Sequence, residues 1–126
     1  MRALYPEFIV FSVFNSQNTE DANDDNHVTV LQDLKARGFD VLESLGVYKG
    51  VKEKSIILFT PVNDISALVK LHLAKFKQES YLQVDAARQA KLVYGDGTRE
   101  SVGFWKAVNA VTDNCTIIGE SVFATL

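Results

Sequence analysis

The chain has a single cysteine, Cys115, which excludes an internal disulfide and any multi-cysteine metal site. No motif surrounds it, so it reads as a small buried hydrophobe. Long hydrophobic runs are missing too. None approaches the ~20 residues that span a bilayer, and the opening MRALYPEF sets a proline and a glutamate where a signal peptide's apolar region would fall. A cytoplasmic location is expected. Nor does one sign of charge dominate: 13 Lys and Arg against 16 Asp and Glu leave a net charge of −3. Nucleic-acid phosphates and anionic membranes therefore find no basic face. G-x-G-x-x-G, the P-loop and the G-x-S-x-G elbow are all absent. Without internal repeats or a Pro/Gly/Ser linker, residues 1–126 are expected to form one domain.

What is present is ordinary globular material. The 126 residues are 47% apolar, and a chain of this length buries roughly two thirds of its extended surface in one core. Residues Glu7 to Phe14, EFIVFSVF, read as a buried first strand. The polar stretch Asn15 to Asn26 follows and ends in Asp/Asn that can cap a helix carrying Val28, Val30, Leu31 and Leu34, closed by Gly38. Phe39 to Tyr48 and Glu53 to Thr60 read as a hairpin turning near Gly50. After Pro61, Asn63 or Asp64 caps a second helix with Ile65, Leu68, Val69, His72, Leu73 and Phe76 on one face, and Ser80 to Val84 returns as a strand. The expected fold is therefore α+β, a ferredoxin-like antiparallel sheet (βαββαβ) with both helices on one face. Lys91 to Tyr94, Gly95-Asp96-Gly97 and Thr98 to Trp105 add a C-terminal hairpin, and CTII and SVFATL add short edge strands.

Few residues offer chemistry. Asp21, Asn23 and Asp25 have the alternating spacing of a calcium loop, but Asn26 stands where a glycine must turn and Gln32 where a bidentate glutamate is required. A solvated or ligand-ordered loop is the better reading. His72, on an apolar helix face, reads as a core or edge histidine, whereas His27 beside the amide-rich loop is a site candidate. Glu53 shares a strand face with Ile57 and Phe59, and a carboxylate there needs a partner. A salt bridge to Lys52 or Lys54 is the plain alternative. Gln78, between the second helix and its strand, has a plain reading as a turn or capping residue.

Five segments in order, FSVFNSQN, HVTVLQDLKARG, GVYKGVKEKSIIL, AKFKQESYLQV and LVYGDGTRESVGF, resemble the phage enzymes that degrade S-adenosylmethionine, called SAM hydrolases or SAM lyases. The resemblance implies Tyr48 and Glu53 as catalytic residues and Gln78 as a substrate-binding residue. It further implies substrate contacts from the polar loop, with Ser12, Asn15, Ser16 and His27. It implies a homotrimer with interfacial sites, acting in the host-cell cytoplasm without metal or cofactor. The implied reaction yields methylthioadenosine and homoserine lactone, and the implied role is counter-defence against restriction. Two alternatives stay open: a lyase of an adenylated S-adenosylmethionine signal, and a non-catalytic trimeric nucleotide-binding regulator. A DNA mimic would need a dense acidic face, which a net charge of −3 does not supply.

Overall fold

The computed structural model describes residues 7–15, 17–48, 50–59, 80–94, 96–112 and 114–126. The expected second helix with His72, together with Ser16, Gln78 and Gly95, lies outside the described residues. In chain order the elements are β1 (Phe8–Phe11), α1 (Glu20–Ala36), β2 (Asp40–Tyr48), β3 (Val51–Phe59), β4 (Ser80–Val84), β5 (Gln89–Tyr94), β6 (Arg99–Val108), β7 (Asn114–Ile118) and β8 (Ser121–Thr125). Neighbouring strands pair antiparallel in the order β1-β3-β2-β7-β8-β6-β5-β4, and β4 pairs back to β1, so the sheet closes as an eight-stranded barrel.

Closure corrects the ferredoxin-like expectation. An open sheet would leave β2 and β4 as edges, with the C-terminal segments as an appendage. Instead β7 pairs with β2 and β5 with β4, so the last four strands join both edges. The physical reason is the row of unpaired N–H and C=O groups that a sheet edge presents, which closure satisfies. Where β6 passes the C-terminus, Gly103 (φ +100°) is required twice over. Its backbone is left-handed, and a Cβ there would collide with the Leu126 carbonyl.

β1 and β3 form a wall buried on both faces, which is why β3 carries the continuous apolar run Ile56-Ile57-Leu58. On the outer face, Ile9, Phe11, Ile56 and Leu58 pack with Val30, Leu31 and Leu34 of α1. On the lumen face, Phe8, Val10 and Ile57 pack with Val84 and Trp105. α1 starts earlier than the apolar pattern predicts. The Thr19 hydroxyl accepts from Ala22 N at 3.2 Å, and Glu20 and Asp21 occupy the first turn, where the helix dipole favours negative charge. Asp21, Asn23 and Asp25 thus lie on a helix, where residues two apart point in different directions and do not converge on an ion. His27 sits mid-helix rather than at its start, and Val28 is exposed rather than in the core. Cys115 is buried, as its surroundings in the sequence suggest.

Candidate active site

The β2–β3 hairpin carries Tyr48 and Glu53, the two residues expected from the sequence to be catalytic. Its unbroken register pairs Tyr48 with Val51 and Gly46 with Glu53, which sets Tyr48 and Glu53 as diagonal neighbours on adjacent strands. Period two along β3 puts Glu53 on the lumen face with Ser55 and Ile57. Its cross-strand neighbour Gly46 has no side chain, and the next strand contributes Thr116 to the same row. Ser44 and Ser55 follow one step deeper, hydrogen-bonded to each other at 2.6 Å. This end of the lumen is therefore polar: a half-buried carboxylate, a gap, and buried hydroxyls.

Among the described residues Glu53 makes no ion pair and no side-chain hydrogen bond. The plain alternative of a bridge to Lys54 does not hold, because Lys54 Nζ lies on the outer face, 3.2 Å from Asp24 Oδ1. Gly46 carries information that the sequence reading missed. Its backbone is not left-handed, and a Cβ would meet only ordinary contacts, Glu53 O at 3.5 Å and Ser55 Oγ at 3.7 Å. Neither conformation nor internal packing calls for glycine there. A mid-strand glycine without such a need marks a place where something else approaches the backbone closely. A tight turn at Gly50 fixes this register, so the signal was available in the sequence.

Of the residues expected to contact substrate near the first loop, Ser12, Asn15 and His27 are described. Ser12 Oγ donates to the Lys54 carbonyl at 3.0 Å and accepts from Phe14 N at 3.1 Å. Asn23, buried on α1, grips the Asn15 backbone twice: its Oδ1 accepts from Asn15 N at 2.9 Å, and its Nδ2 donates to Asn15 O at 3.0 Å. The Asn15 side chain in turn accepts from Gln17 N at 2.8 Å. His27 is 1% exposed, and its Nε2 stands 3.2 Å from Glu43 Oε1. That contact is an ion pair only when the imidazole is protonated, and neither ring nitrogen has a hydrogen-bond partner among the described residues. Burial pushes the His27 pKa below 6.5, with Glu43 pulling against the shift. His27 lies against α1's partner strand β2 on the face opposite Glu53, and Asn23 of α1 holds the Asn15 backbone, whereas Ser12 bonds the β3 main chain at Lys54. The sequence reading named none of Glu43, Asp24 and Lys54 as site residues. Gln78 and Ser16 lie outside the described residues. Among the described residues no group of acidic, histidine or cysteine side chains could hold a metal ion. No helix among them is long and apolar enough to cross a membrane.

No curated protein gives a significant match. The model of the S-adenosylmethionine lyase family matches residues 9–126, from β1 through the last strand. Nearly the whole barrel falls inside that match, including the hairpin with Tyr48, Gly46 and Glu53. The chain belongs to the S-adenosylmethionine lyase family and is an enzyme acting on S-adenosylmethionine.

Proposed function

We propose that this enzyme cleaves S-adenosylmethionine into methylthioadenosine and homoserine lactone, with the substrate supplying its own nucleophile. The methionine carboxylate attacks the γ-carbon, a carbon–oxygen bond forms, and the γ-carbon–sulfur bond breaks. The bonding pair passes to sulfur and neutralises the sulfonium. No water enters, and the α-ammonium keeps its proton.

The sulfonium is already a good leaving group, so orientation is the chief task of the protein. Aligned intramolecular reactions recover on the order of 7 kcal/mol or more of barrier. The observation that carries the reading is the half-buried Glu53 carboxylate, unpaired among the described residues and facing the space above Gly46. A carboxylate about 4 Å from a cation gains roughly 4 kcal/mol at an effective dielectric near 20, before desolvation. On the sulfonium that attraction would fade as the bond breaks and would oppose catalysis. On the α-ammonium it persists through the transition state. Glu53 therefore holds the ammonium and, through it, the rotation that brings the carboxylate to the γ-carbon. Tyr48, its diagonal neighbour, hydrogen-bonds the attacking carboxylate.

The same reading carries a homotrimer in which Gln78 reaches the substrate from a neighbouring copy. It also carries a phage role, depletion of the methyl donor on which host restriction depends. Light scattering that returns 14.0 kDa would contradict the assembly. The reaction is tested by incubating the purified protein with S-adenosylmethionine and identifying the first products. Methylthioadenosine with homoserine lactone is expected, and absence of methylthioadenosine contradicts the reading. Adenylated S-adenosylmethionine run alongside compares the two substrates.

A further inference from the structure

Along the lumen face of the β2–β3 hairpin the paired residues change character in three steps. Gly46 stands opposite Glu53, Ser44 opposite Ser55, and Leu42 opposite Ile57. The two serines therefore mark the border between the polar end and the apolar interior. They are 6% and 5% exposed, and their Oγ atoms lie 2.6 Å apart. Two apolar side chains would fill such a place at no polar cost, and buried hydroxyls are retained at a cost unless they are matched.

One hydrogen of this pair is unspent. Two hydroxyls carry two hydrogens, and the single bond between them uses one. Neither serine has a further hydrogen-bond partner among the described residues. Position decides which of the two offers the remaining hydrogen. Ser55 Oγ lies 3.7 Å from the point where a Gly46 Cβ would stand, whereas Ser44 Oγ is not within 4 Å of that point. With Ser44 donating to Ser55, the Ser55 hydrogen is left for the gap above Gly46, and the bond it receives strengthens the one it gives.

On the same strand face Glu53 is two residues away, about 7 Å at ~3.4 Å per residue. The gap is thus flanked by a carboxylate on one side and a hydroxyl donor on the other. An α-amino acid carries the complementary pair, an ammonium and a carboxylate, on a single carbon, and the methionine end of S-adenosylmethionine is such a group.

Given the proposed seat of the ammonium at Glu53, on which this rests, we infer that the Ser55 hydroxyl, oriented by Ser44, binds the α-carboxylate of the substrate. A donor on the attacking oxygen would hold back its electron pair. Ser55 therefore bonds the other oxygen, which becomes the lactone carbonyl and still accepts a hydrogen bond when the ring has closed. That bond fixes which oxygen faces the γ-carbon. Ser44 touches no substrate atom and is a positioning residue.

The test is a binding comparison by calorimetry on the intact protein. Its probes are S-adenosylhomocysteine and decarboxylated S-adenosylhomocysteine, which differ only in the carboxylate and lack the sulfonium leaving group. Removing both serines removes both partners of the hydrogen bond, so Ser44→Ala/Ser55→Ala should melt close to the native protein. Its affinity for S-adenosylhomocysteine should nonetheless fall about tenfold or more, with affinity for the decarboxylated probe within about twofold of native. Ser44→Ala keeps the donor and should lose less than Ser55→Ala. If the double variant does not fold, Ser55→Ala carries the same comparison between the two probes. Native affinity of the folded variant for S-adenosylhomocysteine, or equal loss for both probes, overturns the assignment of Ser55 and leaves the reading of Glu53 standing. Failure of the native protein to bind either probe overturns both.

Discussion

Glu43 and Glu53 stand on neighbouring strands of one barrel wall and face opposite ways. Glu43 lies under α1 with His27 against it, in a cluster where Lys54 and Asp24 also pair. Glu53 faces the lumen without a partner among the described residues, across from a glycine that nothing inside the chain calls for. The difference separates structure from function in the same few residues. Outside, Asn23 ties the exit of β1 to the helix, and Asp24 ties the helix to Lys54 of β3. Inside, a half-buried carboxylate has no ion-pair partner among the described residues. A carboxylate that the fold leaves unmatched is the one suited to a cationic substrate.

Substitutions on the two faces should therefore behave differently, and the largest contrast lies between the two glutamates. Glu53→Gln keeps shape and removes charge, so turnover of S-adenosylmethionine should drop about a hundredfold or more with the thermal melt unchanged. Glu43→Gln should leave turnover within about twofold, since its contact is a partly exposed one. Equal loss in both would erase the distinction. Gly46→Ala comes next. Its Cβ meets only ordinary contacts and alanine is the better strand residue, so stability should hold or rise by about 0.5–1 kcal/mol. Turnover should nonetheless fall roughly tenfold to a hundredfold as the substrate is displaced from Glu53. Native activity in Gly46→Ala would mean that the gap is not used.

On the outer face the expected effects concern stability. His27 has a folded pKa below its unfolded value, so the unfolded chain takes up a proton that the folded chain refuses. Stability is then full above about pH 6.5 and declines as pH falls below that value, by at most about 1.4 kcal/mol per pH unit for one proton. His27→Leu should flatten this part of the pH profile, as denaturant melts at several pH values would show, and an unchanged profile would contradict the assignment. The smallest effect is expected for Lys54→Met, which breaks the half-exposed pair with Asp24 and should shift stability by ~0–1 kcal/mol without altering turnover.

Local features of this chain were open to reading because they are written in local chemistry. The alternation in β3, the turn at Gly50 and Gly38 after α1 follow from period and from glycine's backbone freedom. Barrel closure was hidden, because the pairing of β7 with β2 joins segments more than sixty residues apart, and no periodicity encodes a partner at that distance. The start of α1 was hidden by composition. EDANDDN resembles a solvated loop, and only the Thr19 cap and the inward turn of Asn23 onto Asn15 show why it is helical. At the candidate site, the face on which Glu53 lies was legible from period two, whereas Tyr48 enters through the family resemblance alone. The placement of His27 on the opposite face was not, because chain proximity to a strand end does not say which side of the sheet a residue reaches.

The central claim is that Glu53 orients a substrate which attacks itself, and does not activate water. Running the reaction in heavy-oxygen water and locating the label in the earliest product tests it most directly. The account predicts unlabelled homoserine lactone, and a lactone later opened at its carbonyl keeps its original oxygen on the γ-carbon. Label on the γ-carbon hydroxyl of freshly formed homoserine would contradict the account and make Glu53 the general base of a hydrolase.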